Sequence, residues 1–200
     1  MSQDLQASET GYHPVAKALH WLVALLVAVQ FGIAWAMPDI GPQTKLDRLI
    51  SLHLTVGALI GLATLARVSW RLRHRTPGAI ATEPRWLRAG ARVSHATLYV
   101  LLLIVPLLGW AAASAHGWRI TLFPRVALPV LLPRGSKSGF LAGDVHTLLA
   151  YTFLAIATLH IAAALYHRLI LRDQVLARML PGRGSRVGSA KSSWRWHSSS

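Results

Sequence analysis

The sequence predicts an all-α integral membrane protein, a bundle of four spanning helices, and three observations point there. The 200 residues are 53% hydrophobic and 14% charged, where an ordinary soluble domain carries about a quarter of its residues as charge. The mean hydropathy is +0.41. The apolar residues gather into four runs, at about 15–37, 49–70, 93–115 and 145–167, each long enough to supply the roughly 20 helical residues that cross a hydrocarbon core of about 30 Å.

Each span has its own markers. The first run contains Trp21 and Trp35 and ends at Pro38 without a small-x-small cleavage pattern, so it reads as a retained helix rather than a cleaved signal peptide. Pro42 follows it. Pro77 and Pro84 close the second run, the stretch from Gly117 to Gly143 follows the third, and Pro181 closes the fourth. Trp21, Trp35, Trp70 and Trp110 fall near span ends, where indole rings anchor at the interface. Residues 182–200, "GRGSRVGSAKSSWRWHSSS", have no apolar periodicity. They are expected to form a disordered basic tail after a four-span domain of residues 1–181.

Charge sets the expected orientation. The formal net charge is +14, but the cations cluster between and after the apolar runs rather than on a helix face with aromatic readers. This pattern speaks for basic loops beside a bilayer and against nucleic acid. The second connection holds Arg71, Arg73, Arg75, Arg85, Arg88 and Arg92 against Glu83 alone, and the segment after the fourth run is equally basic. By the positive-inside rule both are cytoplasmic, and so are both termini. The third connection does not conform: it carries Arg119, Arg125, Arg134 and Lys137 against Asp144 on the face expected outside.

Cysteine is absent, so any metal must be held by histidine or oxygen. In the expected topology His20 lies near the cytoplasmic start of span one and His53 near the outer start of span two. His146 begins span four on the outside. His160 follows fourteen residues later, about 21 Å along the axis and only about 40° around it. By depth His53 pairs with His146 outside and His20 with His160 inside. Two imidazoles facing across an apolar bundle suit the axial positions of haem b, and two pairs make two haems. No four histidines converge at one depth as zinc would require. His95 opens span three on the cytoplasmic side and competes with His20 or His160 as ligand. His167 is a further competitor but is expected at the headgroups, while His13, His74, His116 and His197 fall in loops or the tail. Lone histidines in spans also serve as packing residues or proton carriers, so a non-redox membrane bundle stays open at this point. Gly32, Gly57, Gly61 and Gly109 mark places where a macrocycle or another helix approaches closely.

Four segments carry a resemblance: "LHWLVALLV" from Leu19, "LHLTVGALIGLATLARVSWRL" from Leu52, "SHATLYVLLLIVPLLGW" from Ser94 and "LHIAAALYHRLILRDQVLARMLP" from Leu159. Together they resemble the bacterial cytochrome b561 family, from about Tyr12 to Pro181. The resemblance implies a multi-pass protein of the bacterial inner membrane with two b haems, ligated by His20, His53, His146 and His160, that exchanges electrons with quinone. His95, Arg67 and Arg71 are candidates for the quinone region, with headgroup binding as the competing role for the two arginines. Two functional classes follow from this resemblance and stand beside the non-redox membrane bundle. One is an autonomous quinone-linked oxidoreductase, in one branch of the family oxidising superoxide; the other is an anchor and conduit subunit of a larger dehydrogenase or hydrogenase. On the first reading the misfit cations Arg119, Arg125, Arg134 and Lys137 form a positive funnel above the outer haem. Headgroup binding is the alternative use for them.

Overall fold

The computed structural model describes residues 12–74, 85–123 and 126–180. The expected tail at 182–200, together with Arg75, Pro77, Glu83, Pro84 and Arg125, lies outside the described residues. Four long helices form the body of the protein: α1 (Pro14–Ala36), α2 (Arg48–Arg73), α3 (Arg85–His116) and α4 (Lys137–Leu169). All four are long and apolar enough to cross a membrane. The helices α3 and α4 begin eight residues before the apolar runs at 93 and 145, because backbone helicity continues beyond the segment that hydrocarbon demands. The 33 residues of α4 amount to about 50 Å of helix against a core of about 30 Å.

Local signals start and stop these helices. Pro14 occupies the first turn of α1, where its missing N–H costs nothing, and the His13 side chain accepts from the Val15 N–H. Asp47 Oδ1 accepts from the Ile50 N–H at 2.8 Å and caps α2. Ser136 caps α4. Pro106 lies inside α3, a position tolerated in a spanning helix because neighbouring groups satisfy the freed carbonyls.

The helices run up, down, up and down. Val23, Ile60, Leu101, Leu102 and Phe153 make the central core, one or two from each helix. Most other large apolar side chains, Leu25, Leu65 and Leu159 among them, point outward, as lipid in place of water allows. Close backbone packing joins α1 to α2, α2 to α3 and α3 to α4. Among the described residues α1 and α4 meet through long side chains instead, with Phe31 stacked on Phe153 at a centroid distance of 6.5 Å. The bundle therefore has one open seam.

The connection between α3 and α4 is more ordered than its sequence announces. It forms a short antiparallel ladder of β1 (Thr121–Phe123) and β2 (Val126–Ala127). The return leg is tied to the end of α3: the Trp110 indole N–H donates to Pro129 O at 2.9 Å, and the Leu131 N–H donates to the buried Ser114 hydroxyl at 3.1 Å. The Gly135 N–H donates to Ala115 O at 2.8 Å. At the opposite end, the chain after α4 turns back under α1. There the Trp21 indole N–H donates to Met179 O at 2.9 Å, and the buried Lys17 ammonium donates to Leu180 O at 3.2 Å.

The α3–α4 seam depends on small residues. A methyl group added at Gly139 would run into the Ala115 methyl and approach Ala111 O to 3.2 Å, whereas at Gly143 it would meet Ala112 at an ordinary 3.4 Å. Gly139→Ala is expected to lower the thermal unfolding midpoint in detergent by an overpacking cost of about 1–3 kcal/mol. Gly143→Ala is expected to leave the midpoint within error of the parent.

Candidate cofactor sites

Among the described residues, the histidines inside the spans fall into two groups at the two ends of the bundle. At one end His53, in the second turn of α2, faces His146 on α4, with ring centroids 6.0 Å apart and planes at 77°. These two rings are the side chains that would hold a haem at this end. The His146 ring is held firmly. Its Nδ1–H donates to Val105 O at 2.8 Å, which leaves Nε2 as the nitrogen with a free lone pair. Gly109, one turn beyond Val105, makes that contact possible: a Cβ there would lie 3.0 Å from both Cε1 and Nδ1 of His146.

Beside this pair is an apolar cavity of about 290 Å³, lined in part by His53, His146, Gly57, Gly61 and Gly109 and roofed by Ile120, Leu122 and Leu128 of the α3–α4 connection. The volume is near the lower end of the roughly 300–1,000 Å³ that cofactor sites occupy. A smaller cavity of about 70 Å³ continues towards the middle of the bundle between Phe31, Phe153 and His146. Of the four cations of this connection, Arg119, Arg134 and Lys137 are exposed at this end, and Arg125 lies outside the described residues.

The second group sits at the other end. The ring of His160 on α4 lies 5.1 Å from that of His95 on α3, at 74°. His95 Nδ1–H donates to Ala91 O at 2.6 Å, again leaving Nε2 free. His20 on α1 lies in electrostatic reach of His160, His95 and Arg67, while its ring contact is with Trp21 at 5.5 Å. Depth alone pairs His20 with His160; the structure adds His95 as the ring directly beside His160. The Arg67 and Arg71 guanidiniums lie over the Tyr99 ring at 5.2 and 5.8 Å. His167, expected at the headgroups, has a protein partner: its Nδ1 is 2.5 Å from Asp173 Oδ2. That pair depends on the chain turning back after α4, which no local motif announces.

These features provide a test of fit for haem. Among the described residues, no three histidine or acidic side chains converge as a metal-ion cluster requires, so the donors come in facing imidazoles. His20 Nδ1 and His53 Nδ1 are buried without a hydrogen-bond partner, a costly condition for rings that serve packing alone. Around His53 and His146 the cavity walls are Leu, Ile, Ala, Gly, Pro106 and Trp110, with Gln30 as the one other polar side chain. Neutral nitrogen donors on apolar walls fit a b-type haem.

A sequence model of the family described as prokaryotic cytochrome b561 matches residues 11–182. The chain belongs to this family. Among its relatives, cytochrome b561 homolog 2 of Escherichia coli K12 is 29% identical over 178 residues, covering 88% of this chain and 95% of that protein. The probable superoxide oxidase CybB of Yersinia pestis is 28% identical, covering 82% and 92% respectively. Cytochrome b562 of Cereibacter sphaeroides is also 28% identical, covering 86% and 96%. Membership of the cytochrome b561 family makes the chain a multi-pass membrane cytochrome that binds haem b and transfers electrons.

The tight seat of the His146 ring yields a prediction. Gly109→Ala places a methyl group against that ring and breaks the Nδ1–Val105 bond, so the haem-to-protein ratio, measured as the pyridine haemochrome, is expected to fall below that of the parent. Gly32→Ala, which meets nothing within 4 Å, is expected to leave the ratio unchanged.

Proposed function

We propose that this cytochrome carries two b haems at two depths of the bacterial inner membrane and passes electrons between an outer donor and the quinone pool. The observation that carries the reading is the facing pair of His53 and His146, 6.0 Å apart beside the apolar cavity. These two residues are assigned to the outer haem, and His20 and His160 to the inner one. Haem, when bound, supplies a one-electron couple whose potential is tuned by its axial imidazoles and their hydrogen bonds.

The residues around each pair have distinct tasks. Val105 O fixes the tautomer of His146 and so presents Nε2 inward. The apolar lining from Gly57 to Leu128 keeps water from the outer pair. At the inner end His95, Arg67 and Arg71 are assigned as the hydrogen-bond donors beside which quinone exchanges protons; the contact of His95 with His160 and the stacking of both arginines on Tyr99 support this. Both termini are assigned to the cytoplasm, in keeping with the basic second connection and the basic end of the chain.

The outer donor is proposed to be superoxide. The likeness to a probable superoxide oxidase supports this, as do the exposed Arg119, Arg134 and Lys137 on the connection that roofs the outer cavity. A small anion is drawn to such a surface, and salt weakens the attraction as the Debye length shortens to about 8 Å at physiological ionic strength.

Two experiments test these assignments. His146→Ala is expected to remove the outer haem and leave the inner one, and His160→Ala the reverse; loss of both haems, or of neither, in either variant contradicts the pairing. In stopped-flow measurements superoxide is expected to reduce the haems at a rate that falls with salt and with neutralisation of Arg119, Arg134 and Lys137 together. A rate indifferent to both contradicts electrostatic capture, and no reduction by superoxide assigns the chain to the conduit class.

A further inference from the structure

Among the described residues, the buried side-chain polar atoms without a hydrogen-bond partner are His20 Nδ1, Gln30 Oε1, His53 Nδ1 and Thr64 Oγ1. Two are on α1 and two on α2. Each helix contributes one imidazole nitrogen, able to donate, and one oxygen, able to accept. Leaving four such groups unpaired in an apolar bundle is costly, so their chemistry invites a joint explanation.

The register between the helices matches donor to acceptor. Gln30 Nε2 donates to His53 O at 3.0 Å, which places the Gln30 amide beside His53 and leaves Oε1 as its open acceptor. His20 is ten residues back along α1 and Thr64 eleven residues on along α2, about 15 and 16.5 Å respectively. In antiparallel helices these steps lead to the same depth. Eleven residues are also three turns plus about 20°, so Thr64 lies on the face of α2 that carries His53. Thr64 is 0% exposed. Its hydroxyl also departs from the habit of its neighbours, for Thr55, Thr152 and Thr158 each donate to the carbonyl one turn back.

A neutral imidazole has one N–H and one lone pair. A ring that gives its Nε2 lone pair to iron must place its Nδ1–H on an acceptor, and His146 does so on Val105 O. We propose that Gln30 and Thr64 are positioning residues for the two remaining α1 and α2 imidazoles: Gln30 Oε1 accepts from His53 Nδ1–H, and Thr64 Oγ1 accepts from His20 Nδ1–H. Neither bond is closed in the structure, and closing them requires the side chains to reorient. Gly57 leaves room for the outer bond, since a Cβ there would lie 3.2 Å from Gln30 Nε2. The proposal rests on the reading of His20 and His53 as haem ligands.

An acceptor on Nδ1–H makes the imidazole a stronger donor to iron and lowers the haem potential; its removal raises the potential. The test is a spectroscopically monitored redox titration, with low-temperature electron paramagnetic resonance, of purified full-length Gln30→Met and Thr64→Val. Gln30→Met is expected to raise the potential and shift the g values of the haem that His146→Ala removes, leaving the other unchanged. Thr64→Val is expected to do the converse. Gln30→Glu and Thr64→Ser, which restore an acceptor, are expected to return each value towards the parent, and Gly57→Ala should act in the direction of Gln30→Met if that variant fails to accumulate. Unchanged potentials and g values, or equal movement of both haems in either variant, would overturn the positioning role alone. Retention of both haems in His53→Ala and His20→Ala would overturn the ligand reading and the proposal with it.

Discussion

An imidazole inside a membrane has two ring nitrogens to satisfy and no water to satisfy them, and much of this bundle is arranged around that requirement. His146 gives its Nδ1–H to Val105 O across the α3–α4 interface, at a point where Gly109 has no side chain to block it. His95 turns instead to Ala91 O on its own helix. Both rings thereby direct Nε2 away from the backbone. The small residues of α3 and α4 serve the same end, since they allow the two helices to approach closely enough for a ring on one to reach a carbonyl on the other. The open seam between α1 and α4 is the counterpart of that approach: three helix pairs pack backbone to backbone, and the fourth leaves space.

The two ends of the bundle differ in a way that suits vectorial electron transfer. Over the His53–His146 end, the α3–α4 connection is pinned by Trp110, Ser114 and Gly135, and it presents apolar side chains inward and cations outward. Under the His20–His160 end, the returning chain is anchored through Trp21 and Lys17, and Arg67 and Arg71 gather at Tyr99. Among the described residues, acidic groups are scarce there. Asp173 is engaged with His167, so the arginines meet an aromatic face instead of a carboxylate. A donor arriving at one end and a proton-coupled acceptor at the other would meet different chemistry.

Much of this was legible in the sequence, and the reasons are physical. Hydrocarbon thickness imposes a minimum length on each apolar run, so the four helices could be counted directly. Depth was legible because a helix rises by a constant amount per residue, which puts His53 level with His146, where the rings do meet. Rotation was harder to read. His20, His95 and His160 share a depth, but which ring lies beside His160 depends on how α1 and α3 turn against α4, and that follows from tertiary packing. The return of the chain under α1 was hidden for the same reason, since its hydrogen bonds join Lys17 to Leu180 and Trp21 to Met179; the β1–β2 ladder is local, pairing Thr121 with Ala127 and Phe123 with Val126, but its strands are too short to leave an alternating pattern. Gln30 and Thr64 left only a faint signal, a lone amide in one apolar run and one hydroxyl among several in the next, and the His53 carbonyl that Gln30 meets lies on another helix.

The central claim is that one chain holds two b haems between paired imidazoles at two depths. Haem quantification combined with a potentiometric titration of the purified protein tests it most directly. The account predicts two haems per chain, a b-type alpha band on reduction, and two low-spin components that titrate as separate one-electron steps. One haem per chain, or a protein that takes up none under conditions where it is folded, would contradict it.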